Sequence, residues 1–155
     1  MKNKLLKYTK ELIGLIITIT IFANGVSLYK SSSLSKSPLP LSLHVEINKP
    51  VMIHFWATWC PVCKTEIDNI QRVSKNYQVI TIVVKSGTSE EIQEYLDERN
   101  LNFKVINDKD AYLAQQFGVN VYPTTIIYDK NREVVFSDVG YTSTLGLYLR
   151  MWWTS

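Results

Sequence analysis

Residues 51–63 read VMIHFWATWCPVC, and the fold is decided there. From Val51 to Ala57 the chain is a continuous apolar and aromatic run of strand length, broken only by His54, which suits a central strand covered on both faces. Pro61 then presets φ at the start of a helix, where its missing amide hydrogen costs nothing. Val62, Ile67, Ile70, Val73 and Tyr77 follow at close to helical spacing. Cys60 and Cys63, the two cysteines of the chain, therefore fall at a strand-to-helix junction.

Downstream, residues 78–85 read QVITIVVK and predict a second buried strand of β-branched residues. Thr88 with Glu91 three residues later forms a capping box for a helix that turns Ile92, Tyr95 and Leu96 inward. Asp108 is placed to cap a short helix carrying Tyr112, Leu113 and Phe117, which Gly118 ends. Residues 124–128 and 133–137 read as strands joined across Asp129, Lys130, Asn131 and Arg132 in a hairpin, and residues 144–153 as an apolar closing helix. Helices alternating with strands, then a late hairpin, predict a three-layer α/β/α domain with a mixed central sheet.

Upstream the composition changes. The 155 residues suffice for one domain and an appendage, and the net charge of +3 is unevenly spread. Residues 1–40 carry six Lys against one Glu, whereas 41–155 carry 11 Lys or Arg against 13 Asp or Glu, so the tail is +5 and the body −2. A body without a basic stripe does not neutralise phosphates, which excludes nucleic acid as a partner. Residues 12–29, LIGLIITITIFANGVSLY, hold no charge over 18 positions, the lower edge of a membrane span. Lys2, Lys4, Lys7 and Lys10 before the run, against Lys30 and Lys36 after it, favour a cytoplasmic tail (1–11), an inner-membrane anchor (12–29) and an exported body. A signal peptide cleaved near Ala23 and Gly25 is the other reading, although the run exceeds the usual h-region. Serines 31, 32, 33, 35 and 37 with Pro38 and Pro40 make residues 30–40 a linker, and the domain is expected over 41–155.

A thiol at a helix N-terminus faces unpaired amides and the positive end of the dipole, which favour thiolate, so Cys60 is expected to be the nucleophile. Cys63, one turn on and facing inward, is expected to resolve the mixed disulfide. Two other readings of the pair are a static disulfide and a zinc site. Zinc would recruit His44 and His54, whose separation matches no zinc-finger pattern and which belong to no second CxxC. No nucleotide, metal or other cofactor is expected beyond the Cys60–Cys63 disulfide itself, since no GxGxxG, Walker A, HExxH or GxSxG motif is present.

HFWATWCPVC at 54–63 and GVNVYPTTIIYD at 118–129 resemble the thioredoxin superfamily, and FWATWC resembles its membrane-anchored, exported TlpA-like branch. The closing GYTSTLGLYLRMWW, with the CPVC motif and the N-terminal run, is similar to suppressor-of-copper-sensitivity D proteins of that branch. The resemblance covers residues 41–155. It implies a thiol:disulfide oxidoreductase, running as a reductant, that acts on exported thiol and disulfide proteins and is recharged by a membrane electron donor of the disulfide-reductase type. A cytochrome c maturation reductase and a copper-binding metallochaperone using the same cysteines are the alternatives. A carrier resembling the Sco copper-assembly proteins would want a histidine beyond the cysteines, and none follows Cys63.

By the same resemblance, Pro123 should be cis and face the cysteines, with Tyr122 presenting its backbone to substrate. His54 stands where thioredoxins often have a buried Asp; it reads either as a packed residue or as a proton relay for Cys63. Glu66 matches a glutamate common in TlpA-like reductases, where it moderates thiol acidity; the alternative is a carboxylate serving the helix dipole. Asp68 replaces a helix-kinking proline usual in the family, which puts the kink in doubt. Trp59 is expected to shield the thiol and to offer an apolar rim to substrate, Trp56 to be core. Trp152 and Trp153 read as helix packing or, alternatively, as a foot on the membrane.

Overall fold

The computed structural model describes residues 8, 10–15, 17, 18, 43, 45, 46 and 48–155. Residues 10–15, 17 and 18 are helical, and Thr18 Oγ1 donates to Gly14 O at 2.8 Å, the back-bond that lets a threonine sit in an apolar helix. Among the described residues no helix is long and apolar enough to cross a membrane. Most of the expected anchor, the site near Ala23 and Gly25, the 30–40 linker and His44 lie outside the described residues.

Five strands form one sheet in the order β3-β2-β1-β4-β5: β1 (Val51–Trp56), β2 (Gln78–Val84), β3 (Lys104–Asp108), β4 (Thr124–Tyr128) and β5 (Val134–Val139). β1, β2 and β3 run parallel, while β4 is antiparallel to both β1 and β5. The helices are α1 (Pro61–Ser74), α2 (Ser89–Glu98), α3 (Tyr112–Gln116) and α4 (Thr144–Thr154). The expected mixed-sheet α/β architecture is thus present, with β1 at its centre and all six of its residues buried.

Alternation along β1 divides the core in two. Met52 and Trp56 face Ile67, Ile70 and Val73 of α1, Ile92 and Leu96 of α2, and Leu147 and Met151 of α4. Val51, Ile53 and Phe55 face the other way, onto Ala111 and Ala114 beside and within α3 and onto Phe117. α1 and α2 share a face because two successive crossovers of one hand advance in one direction, from β1 to β2 to β3. The chain then returns past β1 to form β4, and α3 covers the opposite face. Trp56 is completely buried as expected, edge-on to Phe103 at 6.3 Å and tilted against Tyr95 at 5.6 Å.

Three readings are amended. β3 had no sequence signal: KVIND mixes Lys, Asn and Asp into five positions, and only pairing with the apolar β2 makes it a strand. Asp108 does serve the first turn of α3, accepting from Leu113 N at 3.1 Å and Ala114 N at 2.9 Å, but the N-cap itself is Ala111 in a left-handed conformation. Trp152 and Trp153 do not pack: they are 67% and 75% exposed on α4, whose buried side is Leu147 and Met151.

The capping box before α2 is present in both directions, with Thr88 N donating to Glu91 Oε2 at 2.7 Å and Glu91 N to Thr88 Oγ1 at 3.3 Å. Thr88→Ala removes one acceptor from the first turn and should lower stability by about 1 kcal/mol, read as a shift of the urea midpoint at unchanged slope.

Candidate active site

Cys60 and Cys63 are joined as a disulfide with Cα atoms 5.3 Å apart. Cys60 is the N-cap of α1, its sulfur accepting from Cys63 N at 3.2 Å, and Pro61 occupies the first helical position. The sulfur therefore sits where the helix presents free amides, the arrangement that favours thiolate over thiol once the bond is reduced. Exposure separates the two less than charge does: Cys60 is 4% exposed and Cys63 fully buried. The pair stands at the C-terminal end of β1, where the sheet's neighbours diverge to β2 on one side and β4 on the other, the place where open α/β sheets leave a crevice.

The loop before β4 closes over this junction. The Tyr122–Pro123 peptide is cis, and Tyr122 O lies 3.6 Å from Cys60 Sγ. Trp59, 57% exposed, donates from its indole to Lys85 O at 3.0 Å and stands edge-on to the Tyr122 ring at 6.0 Å. Val62, between the two cysteines, and Val121, next to Tyr122 in the chain, are also exposed. Sequence reasoning named Trp59, Tyr122 and Pro123; Val62, read there as one of the apolar positions of the helix, is instead exposed, and Val121, inside the quoted 118–129 motif, was given no role.

Glu66 is the sixth residue of α1, and α1 has no acidic residue in its first turn, so the dipole-stabilising reading is set aside. Its carboxyl is wholly buried and accepts from Thr142 N at 3.0 Å, while Oε2 has no hydrogen-bond partner among the described residues. Burial pushes its pKa up to about 7; the Thr142 bond opposes the rise and the nearby Asp138 charge adds to it. α1 runs unbroken through Asp68, so the helix forms without the proline of the wider family.

His54 is fully buried on the face of β1 that carries Met52 and Trp56, beneath α1. Its register partners are Thr81 on β2 and Thr125 on β4, and Thr125 in turn faces Asp138 on β5. A polar row thus crosses four strands inside an apolar layer. His54 Nδ1 lies 2.9 Å from Thr125 Oγ1, whereas His54 Nε2 and Thr81 Oγ1 have no partner among the described residues. Burial pushes the His54 pKa down to about 3, so the imidazole is neutral at physiological pH. Asp138 ends the row in an ion pair with Arg150 of α4, at 2.9 Å from Nε; burial raises its pKa and Arg150 opposes that. Thr81, Thr125, Thr142 and Asp138 escaped the sequence reading, because only strand register brings them to His54 and Glu66.

A "Thioredoxin-like protein" of Haemophilus influenzae is 31% identical over 105 residues, covering 67% of this chain and 62% of that protein. The "Thiol-disulfide oxidoreductase ResA" of Oceanobacillus iheyensis is 33% identical over 90 residues, covering 56% of this chain and 47% of the relative. The chain therefore spans about half to three-fifths of the length of these relatives. Among solved structures, a putative thioredoxin from Neisseria meningitidis superposes with a TM-score of 0.62 at 28% identity, covering 79% of this chain and 91% of that one. The family profile described as AhpC/TSA matches residues 37–137, which include the cysteine pair, the cis-proline loop and all five strands but the end of β5. With a thioredoxin-like fold, a disulfide at the N-terminus of α1 and most of its length matched, the chain belongs to the AhpC/TSA family.

Proposed function

We propose that this chain is a membrane-tethered thiol:disulfide oxidoreductase of exported proteins, working in the reducing direction through Cys60 and Cys63. The observation that carries the reading is the position of Cys60 Sγ, held between the first amides of α1 and the carbonyl of Tyr122. In the cycle, the Cys60 thiolate attacks a client disulfide, forming a mixed disulfide and releasing one client thiolate. The Cys63 thiolate then attacks Cys60 Sγ, the second client thiolate leaves, and two electrons have passed to the client. The Cys60–Cys63 disulfide that remains is re-reduced by a dithiol donor at the membrane. Trp59, Val62 and Val121 give an extended client segment an apolar border, and the backbone of Tyr122 lies beside the exchanging sulfur. The buried Glu66 carboxyl and the neutral His54 imidazole bias the acidity of the pair. The residues 12–29 run and its lysine flanks support the extracytoplasmic placement, in a periplasmic space.

Equilibration of the purified chain in glutathione buffers tests the activity and its direction together. A dithiol–disulfide transition more negative than the glutathione couple, accompanied by catalysed reduction of insulin, is the expected result. A pair that stays oxidised throughout and accelerates no exchange would make the disulfide structural instead.

A further inference from the structure

The outer side of α4 has no partner among the described residues. Leu145, Leu149, Trp152 and Trp153 are 69%, 55%, 67% and 75% exposed. Successive helical residues turn by about 100°, so these four fall within an arc of about 100° opposite Leu147 and Met151. The result is an apolar stripe about 12 Å long that ends in two adjacent indoles. Residues 144–154 also lie beyond the segment shared with the AhpC/TSA family, so that family's common chemistry does not account for the stripe.

The path of the chain says what covers it. α4 begins beside Glu66 and Asn69 of α1, through the Thr142 and Thr144 contacts, and ends at Ser155. Ser155 lines one cleft together with Glu46, Lys49, Lys75 and Tyr77. Glu46 and Lys49, which follow the N-terminal apolar run in sequence, thus share a pole with the C-terminal end of α4. That pole is the end of α1 away from Cys60, and 14 helical residues at about 1.5 Å each set the two roughly 20 Å apart. The exposed cations Arg72 and Lys75 occupy the last turn and C-cap of α1, next to α4, where Tyr148 bonds Arg72 O. Lys49 at the same pole is offset by Glu46, leaving an excess of positive charge.

We infer that the Leu145–Leu149–Trp152–Trp153 face of α4 rests on the lipid surface, its indoles at headgroup depth and Arg72 and Lys75 against anionic headgroups, while Cys60, at the other end of α1, takes no part in the contact. Tryptophan is favoured at that depth because an apolar ring and a polar N–H meet their two solvents there. One apolar segment combined with a basic patch is also the pattern by which two weak membrane signals reinforce each other. The inference rests on the reading that residues 12–29 lie in the membrane, and it adds an orientation to that tether.

The test uses the full chain, with Trp59→Phe to silence the active-site indole and the fully buried Trp56 left as a constant background, reconstituted in mixed phosphatidylcholine and phosphatidylglycerol vesicles. Lipids brominated near the headgroup should quench its tryptophan emission, while aqueous acrylamide should not. Leu145→Lys with Leu149→Lys, at positions too exposed to disturb folding, should reverse both effects while the protein still floats with the vesicles. Indoles quenched by acrylamide and untouched by bromolipid in a chain that floats would overturn the foot and leave the anchor standing. Protection from both quenchers that depends on the protein-to-lipid ratio would assign the face to a second copy of the chain and overturn the inference. A chain that does not float would remove the anchor and the foot together.

Discussion

Cys60→Ser should reduce disulfide exchange on a reporter substrate by at least about 10³-fold, because the one other cysteine, Cys63, is fully buried within the first turn of α1 and does not occupy its cap. Cys63→Ser should behave differently, retaining the attacking thiol and accumulating mixed disulfides visible on non-reducing gels. The asymmetry is electrostatic more than steric. Both residues are covered, at 4% and 0% exposure, yet Cys60 Sγ is the sulfur that accepts the Cys63 amide and occupies the cap. Alkylation of the reduced chain at mildly acidic pH should accordingly label Cys60 well before Cys63. Equal labelling rates, with mixed disulfides trapped by neither variant, would sink the assignment of attacking and resolving roles.

Stability of the oxidised chain should be flat from about pH 4.5 to 6.5 and fall on both sides, because two buried groups, Glu66 on α1 and His54 on β1, titrate in opposition. Glu66 has a folded pKa of about 7 against an ordinary 4.5, so its contribution is complete below 4.5 and is lost as pH rises through about 7. At about 1.4 kcal/mol for each pH unit, that loss is at most about 3 kcal/mol. His54 has a folded pKa of about 3 against 6.5, so its contribution is complete above 6.5 and is lost as pH falls towards 3, at most about 5 kcal/mol. Between 4.5 and 6.5 the two slopes cancel. The raised Asp138 carboxyl acts in the same sense as Glu66, its contribution lost as pH rises through its raised pKa.

Urea midpoints across pH separate the two. Glu66→Gln should remove the alkaline loss, and His54→Phe the acid loss, the latter at a pH-independent cost of about 1 kcal/mol for the Thr125 hydroxyl left unpaired. Each substitution should also move the pH profile of Cys60 alkylation, since a charge that appears or disappears beneath α1 alters the energy of the thiolate. Unchanged pH profiles of both stability and alkylation in both variants would make the two residues packing elements alone.

The sequence by itself determined what depends on neighbours in the chain. The β1 run, Pro61 at the helix start, the Thr88–Glu91 box and the 129–132 hairpin are settled by local propensity and capping, and each is in place. The cysteines' station at a strand-to-helix junction follows from the same local rules. Tertiary structure alone decided the rest, because burial and pairing are set by residues remote in sequence. KVIND is a strand only because β2 offers it an edge. Glu66 turns inward because Thr142, 76 residues on, supplies an amide there. His54 acquires Thr125 as its partner through the β1–β4 register. Trp152 and Trp153 carry the same apolar character as Leu147 and Met151, and only the packing of α4 against α1 and the sheet decides which pair is covered and which is left facing outward.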